Sequence, residues 1–157
     1  MSQFEQIIRV LQVEMNRPEM YGWFHMSWVV SAILAVLFLS LRKEKDHEKT
    51  LKRILFAYGV GSMLFELTKQ IIWSYHYDAA ERMGIWDYQW YAFPFQLCTT
   101  PIIISFVSVF LRKGSLRDCL LSYMAFITIL GSTATAFYPE FCFVQTLMIN
   151  MHTMYLH

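Results

Sequence analysis

Glu66 and Lys69 are the two acidic or basic residues that fall inside the long apolar stretches of this 157-residue chain. They stand three apart, so on a helix they share one face, with Gln70 one turn beyond Glu66. An ionisable side chain in hydrocarbon costs a few kcal/mol. The pair therefore has two readings: a neutralising ion pair whose Lys69 snorkels outward, or part of the lining of a site. In either case the face turns away from lipid. At 1.5 Å per residue, Glu66 lies about 18 Å along from Ile54, where its stretch begins. His25 opens the first stretch. Cys98 follows Pro94, a natural first-turn residue, and lies about 6–8 Å below the outer boundary, beside Gln96. His152 on the last stretch completes a set of polar groups that several segments bring to similar depth.

Each of these residues also has a plainer reading. His25 fits an interfacial belt as well as a ligand set. Cys119 and Cys142 read as small apolar fillers, and an odd number of cysteines gives no disulfide framework. His152 and His157 are five apart, a poor spacing for one helix face, so one of them at most is expected to face a given cavity. His25, Glu66 and a histidine of the last stretch are metal-ligand types. However, neither HxxxH nor ExxH spacing occurs among them, and no metal or other cofactor is expected.

The elements that must position these groups are membrane spans. The chain is 56% hydrophobic, 17% aromatic and 16% charged, with a net charge of +1 and a mean hydropathy of +0.35. A soluble domain carries about a quarter charged residues, so an ordinary cytosolic enzyme and a disordered chain are disfavoured. The small net charge also leaves a nucleic-acid partner unsupported. A bilayer core needs roughly 20 apolar residues of helix. Spans are expected at about 23–41, 54–75, 93–111 and 119–138, with a fifth over 141–157 that the sequence leaves incomplete. The expected fold is all-α: a polytopic transmembrane helix bundle forming a single domain over 1–157, a fragment of a six- or seven-helix protein in the cell membrane.

Basic residues orient the bundle. Arg42, Lys43, Lys45, Lys49, Lys52 and Arg53 crowd one loop, and Arg112, Lys113 and Arg117 another, whereas Arg9, Arg17 and Arg82 lie on the opposite side. The N-terminus is thus expected outside. Trp23, Trp28, Trp73, Trp86 and Trp90 all fall near that outer face. Residues 1–22 lack the uninterrupted apolar core of a signal peptide. Phe4, Ile7, Ile8, Leu11 and Met15 instead recur at helical spacing, as in a helix lying in the interface. Ala57 with Gly61, Gly131 with Thr135 and Ser132 with Ala136 are small-residue pairs that let helices approach closely.

The run Ala92-Phe93-Pro94-Phe95-Gln96-Leu97-Cys98-Thr99-Thr100 resembles the "LPLxLCS" segment of the YwaF-type integral membrane proteins of bacteria. Phe24-His25 is similar to that family's early histidine, and Glu66 to its second-span acid. Tyr138-Pro139-Glu140 resembles its "TPE" or "YPD" turn. His152 to His157 resembles its "Q-x-x-x-x-H", with His157 as the family histidine. The resemblance implies a relation to animal transmembrane proteins that look like cysteine-dependent acyltransferases moving acyl chains between phospholipids. By position it implies Cys98 as nucleophile, with a histidine as base and proton shuttle. A histidine cation or Lys69 nearby would stabilise the thiolate. His157 is the first candidate by resemblance; His152, about 10 Å deep against about 18 Å for His157, is the better match in depth to Cys98.

Two functions follow as expectations. One is a lipid-modifying, cysteine-dependent acyltransferase or hydrolase with phospholipid or lysophospholipid substrates. Its site would comprise Cys98, His157 and His152, supported by Glu66, Lys69, Gln70, His25 and Gln96. The other is a non-enzymatic small transporter or membrane-assembly subunit built around the Glu66–Lys69 pair.

Overall fold

The computed structural model describes residues 3–43, 46–78, 83–94 and 96–157. Lys45 and Arg82 of the basic-residue pattern, and Phe95 of the cysteine-containing run, lie outside the described residues. The fold is mostly helical, with one small hairpin. In chain order come α1 (Gln3–Leu11), α2 (Trp23–Leu41), α3 (His47–Ser74), β1 (Tyr75–Asp78), β2 (Met83–Trp86), α4 (Thr100–Phe110), α5 (Ser115–Phe137) and α6 (Leu147–Leu156).

α2 and α5 are each long and apolar enough to cross a membrane. Their apolar side chains are largely uncovered: Ile33, Leu34, Val36, Leu37 and Phe38 on α2, and Phe126, Ile129 and Leu130 on α5, are all exposed. α2 coincides with the stretch expected for it. α3 begins at His47 rather than Ile54, because Asp46 caps it by accepting from the Lys49 N–H at 3.0 Å. The charged residues before Ile54 thus form its first turns instead of a loop.

α3 is the central helix, with α4 and α6 packed on it. Gly59 lets α4 approach: a Cβ there would stand 3.0 Å from Ser105 Oγ. Gly61, expected to serve a helix pair with Ala57, instead makes room for the Tyr155 ring of α6, which would collide with a Cβ at that position. Tyr155 stacks with Tyr58 and lies against Phe65, ring centroids 6.0 and 5.1 Å apart. At the basic-loop end, Glu48 pins α3 to α5. Its carboxylate lies 2.6 Å from Arg117 Nη1 and 3.5 Å from Lys113 Nζ. Partial desolvation raises the Glu48 pKa, but Arg117 and Lys113 outweigh it and hold the group below the usual carboxylate range.

Three stretches depart from the helical expectation. Phe93, Pro94 and Gln96 are not helical; a 3-10 turn over Leu97–Thr99 precedes α4, and Pro101, not Pro94, occupies the first turn of the helix. Side-chain hydroxyls compete with helix here: Thr99 Oγ1 donates to the carbonyls of Pro94 and Gln96, and Thr100 Oγ1 to that of Leu97. Residues 76–92, read from sequence as an outer loop, contain the antiparallel hairpin, with Tyr75 opposite Trp86. Tyr75 lies over Gly84, where a Cβ would collide with its ring.

The third departure is at α6, which starts at Leu147 instead of 141. The chain before it is drawn into extended pairing with the N-terminal segment. Met15 N donates to Gln145 O at 2.8 Å and Leu147 N to Val13 O at 3.0 Å, around a bridge between Glu14 and Thr146. α1 is also docked. Ile8 is buried, and Phe4 packs on Tyr75 and Trp86 at 5.7 and 6.1 Å. Gln12 Nε2 donates to the carbonyls of Ile72 and Tyr75, at 3.1 and 2.9 Å, which satisfies acceptors that the end of α3 leaves open.

Candidate functional site

The C-terminal third of α3 carries Glu66, Lys69 and Gln70 on one face, and Glu66 and Lys69 are both buried. Lys69 Nζ lies 2.8 Å from Glu66 Oε1. Gln70 Nε2 donates to the same oxygen at 2.7 Å and to the carbonyl of Ala92, which ties the segment before Cys98 to α3. The second carboxylate oxygen faces α6: Glu66 Oε2 stands 3.4 Å from His152 Nε2. That is ion-pair range but not hydrogen-bond geometry, and both atoms lack a hydrogen bond among the described residues. A buried network left partly unsatisfied is energetically costly.

Asn150, which the sequence did not single out, fixes this end of α6. It is fully buried, its Oδ1 accepts from Val144 N at 2.9 Å, and its Nδ2 donates to Val144 O at 2.7 Å and to Met15 Sδ at 3.3 Å. The histidine-bearing helix, the loop before it and the N-terminal segment are thereby joined at one side chain. A lone polar residue in the apolar run 147–151 was the available signal.

Cys98 sits in the 3-10 turn, half-buried, with Gln96 Oε1 3.7 Å from its sulfur. It lines a cavity of about 190 Å³ with Lys69, Gln96, Cys142, His152 and His157. Four of these come from three different helical or turn segments; Cys142 comes from the connection before α6. Among the described residues no histidine is hydrogen-bonded to the thiol.

Both histidines reach this cavity despite their five-residue spacing. Ile149, His152, Thr153 and Leu156 form one face of α6, and His157 flanks that face at the helix end, so the cavity wraps around the terminus. Gly131 of α5 is what admits His157, since a Cβ there would stand 2.9 Å from its Nδ1. His25 lies apart. Its side chain is fully buried, accepts from Tyr21 N at 3.3 Å and packs against Phe143 at 5.9 Å, and it does not line the cavity. Gln70 acts from behind, through Glu66. Cys119 is exposed. Among the described residues no group of three or more His, Cys, Asp or Glu is arranged to hold a metal ion.

Chemically, the cavity brings the Cys98 and Cys142 thiols, two imidazoles and the Lys69 amine into one small space, with the Glu66 carboxylate behind Lys69. Such a set can bind an ester carbonyl, attack it with sulfur and move the proton this requires. Elsewhere in the fold, α2 and α5 are uncovered apolar helices of membrane-crossing length. The TMEM164 family profile matches residues 20–157, and the chain belongs to this transmembrane protein family. No curated protein and no solved structure matches it.

Proposed function

We propose that the chain is a cysteine-dependent lipid acyltransferase or hydrolase that acts through a thioester on Cys98. The observation that supports this is the shared cavity: Cys98, His152, His157 and Lys69 line the same space. The likeness of the run around Cys98 to the YwaF-type proteins, and through them to acyl-transferring animal relatives, points the same way. In this reading the bundle spans the cell membrane four times plus a fifth helix, with the N-terminus outside. The nine basic residues of the stretches 42–53 and 112–117 then face the cytoplasm, and the substrate is a membrane phospholipid.

The steps balance as follows. A histidine takes the Cys98 proton, and the thiolate attacks the ester carbonyl carbon. The C–S bond forms, the C–O bond breaks, and the leaving lysophospholipid oxygen recovers the proton from the histidine. A second lysophospholipid hydroxyl, or water, then attacks the thioester carbonyl. It gives its proton to the same histidine, which returns it to the departing Cys98 sulfur. Lys69 stabilises negative charge on the sulfur, and Glu66 holds both Lys69 and His152 in place.

Full-length protein in nanodiscs, incubated with phospholipid bearing a labelled acyl chain and with unlabelled lysophospholipid, tests this. Cys98 should gain a hydroxylamine-sensitive acyl group, and Cys98→Ser should lose both the thioester and the exchange. Exchange that is undiminished in Cys98→Ala would exclude the mechanism.

The buried Glu66–Lys69 pair with His152 at 3.4 Å favours a second reading, a proton-coupled transport or assembly role. There Glu66→Gln would disturb function and Cys98→Ala would be silent.

A further inference from the structure

We infer that the groove between the Leu97–Pro101 turn and the middle of α5 receives the acyl chain of the ester that reaches Cys98, and that Gly131 sets its width. This rests on the acyl-transfer reading above. The groove holds about 360 Å³, within the range of small-molecule sites. Leu97, Pro101, Ile127, Leu130 and Leu156 give it apolar walls. Thr128 adds little polarity, because its hydroxyl donates to Met124 O at 2.7 Å within the helix.

The groove is continuous with the polar cavity. Gln96, Cys98, Leu156 and His157 line both. On one side of the thiol lie Lys69 and His152, and on the other an apolar slot. An amphiphile with its ester at the junction matches that division, and an acyl chain is the apolar part attached to that ester. Leu97 and Leu130 are more than half exposed, so the slot opens sideways on the apolar surface, where a chain already in the bilayer can enter.

Gly131 is the narrow point. With a Cβ 2.9 Å from His157 Nδ1, any larger residue must push His157 aside or fill the slot. Burying a methylene changes binding roughly fourfold, so a side chain that displaces two of them should weaken long-chain binding by roughly tenfold or more.

The test uses the full chain in nanodiscs and a phosphatidylcholine with a photoreactive diazirine at its acyl terminus. In Cys98→Ser protein, cross-links should fall on residues 127–131 and drop roughly tenfold in a Gly131→Val background. With Cys98 intact, Gly131→Val should shift thioester formation from long towards short acyl chains. Should that variant fail to fold, Ile127→Phe narrows the same slot from a position one helical turn away. Cross-links on α5 without any Cys98 thioester would uphold the groove and overturn the acyl-transfer reading. A Cys98 thioester with an unchanged chain-length profile in the narrowed variants, and cross-links elsewhere, would overturn the groove alone. Absence of both signals would overturn both.

Discussion

The Glu66 carboxylate faces two basic side chains: Oε1 meets Lys69 Nζ at 2.8 Å and Oε2 stands 3.4 Å from His152 Nε2. One acid on α3 thus pairs with a lysine of its own helix and faces a histidine of α6. Removing one partner of a buried ion pair leaves the other uncompensated and costs about 3–5 kcal/mol. Glu66→Ala should therefore lower the detergent-solubilised unfolding temperature sharply. Glu66→Ala combined with Lys69→Met should recover most of the loss, relative to the two single variants. Strictly additive losses in that double-mutant cycle would show that the two side chains are not coupled.

Asn150 bears a different load. Asn150→Ala removes two bonds to Val144 and one to Met15, and orphaned buried groups cost about 1–3 kcal/mol. The N-terminal segment should loosen before the bundle does. Trypsin should then cut at Arg9 faster than in the parent protein, while cleavage at Lys43, between α2 and α3, is unaltered. Equal protection of Arg9 in both proteins would contradict the assignment.

At the opposite end, the Glu48–Arg117 contact carries a pH signature, and it lies outside the spans. Because the folded-state pKa of Glu48 is depressed, its contribution is present above the unfolded carboxylate value of about 4.3 and is lost as pH falls through the lower folded value. Stability measured by denaturation should decline across that acidic window in the parent and decline less in Glu48→Gln. Matching acid profiles would contradict the pin.

Cys98 and Cys142 share a cavity of about 190 Å³, too small for two bulky adducts beside the existing side chains. In a Cys119→Ser background, intact mass spectrometry after treatment with a bulky maleimide should find one adduct on either thiol but scarcely any molecule with both. Abundant double labelling of folded protein would refute their proximity.

Local pattern made some of this legible. α2 has no charge between Trp23 and Leu41 and forms over that range. The start of α3 was hidden because its charged first turns look like loop, although Asp46 and Glu48 are ordinary N-terminal signals. Of two prolines near the third span, Pro94 was chosen over Pro101; the hydroxyls of Thr99 and Thr100 decide otherwise. The start of α6 depends on pairing with residues 13–15, more than a hundred positions away, which no window around 141–157 contains. Depth brought Cys98 and His152 together, and both line the cavity, but it also included His25, which lies apart, and set His157 too deep. Cys142 was not recognisable, because it lies on a connection whose path is set by Asn150, and the inclusion of both histidines depends on the shape of the cavity rather than on helix periodicity.

The pairing of Val13 and Met15 with Gln145 and Leu147 has a consequence for biogenesis. These backbone partners lie more than a hundred positions apart, and such sequence-distant closure is slow compared with local helix formation. The helices that hold Cys98 and its neighbours on α3 can form before this pairing, whereas the placement of α6, and with it of His152 and His157, depends on it. Assembly of the imidazoles around the thiol is thus tied to the slowest class of contact in the fold.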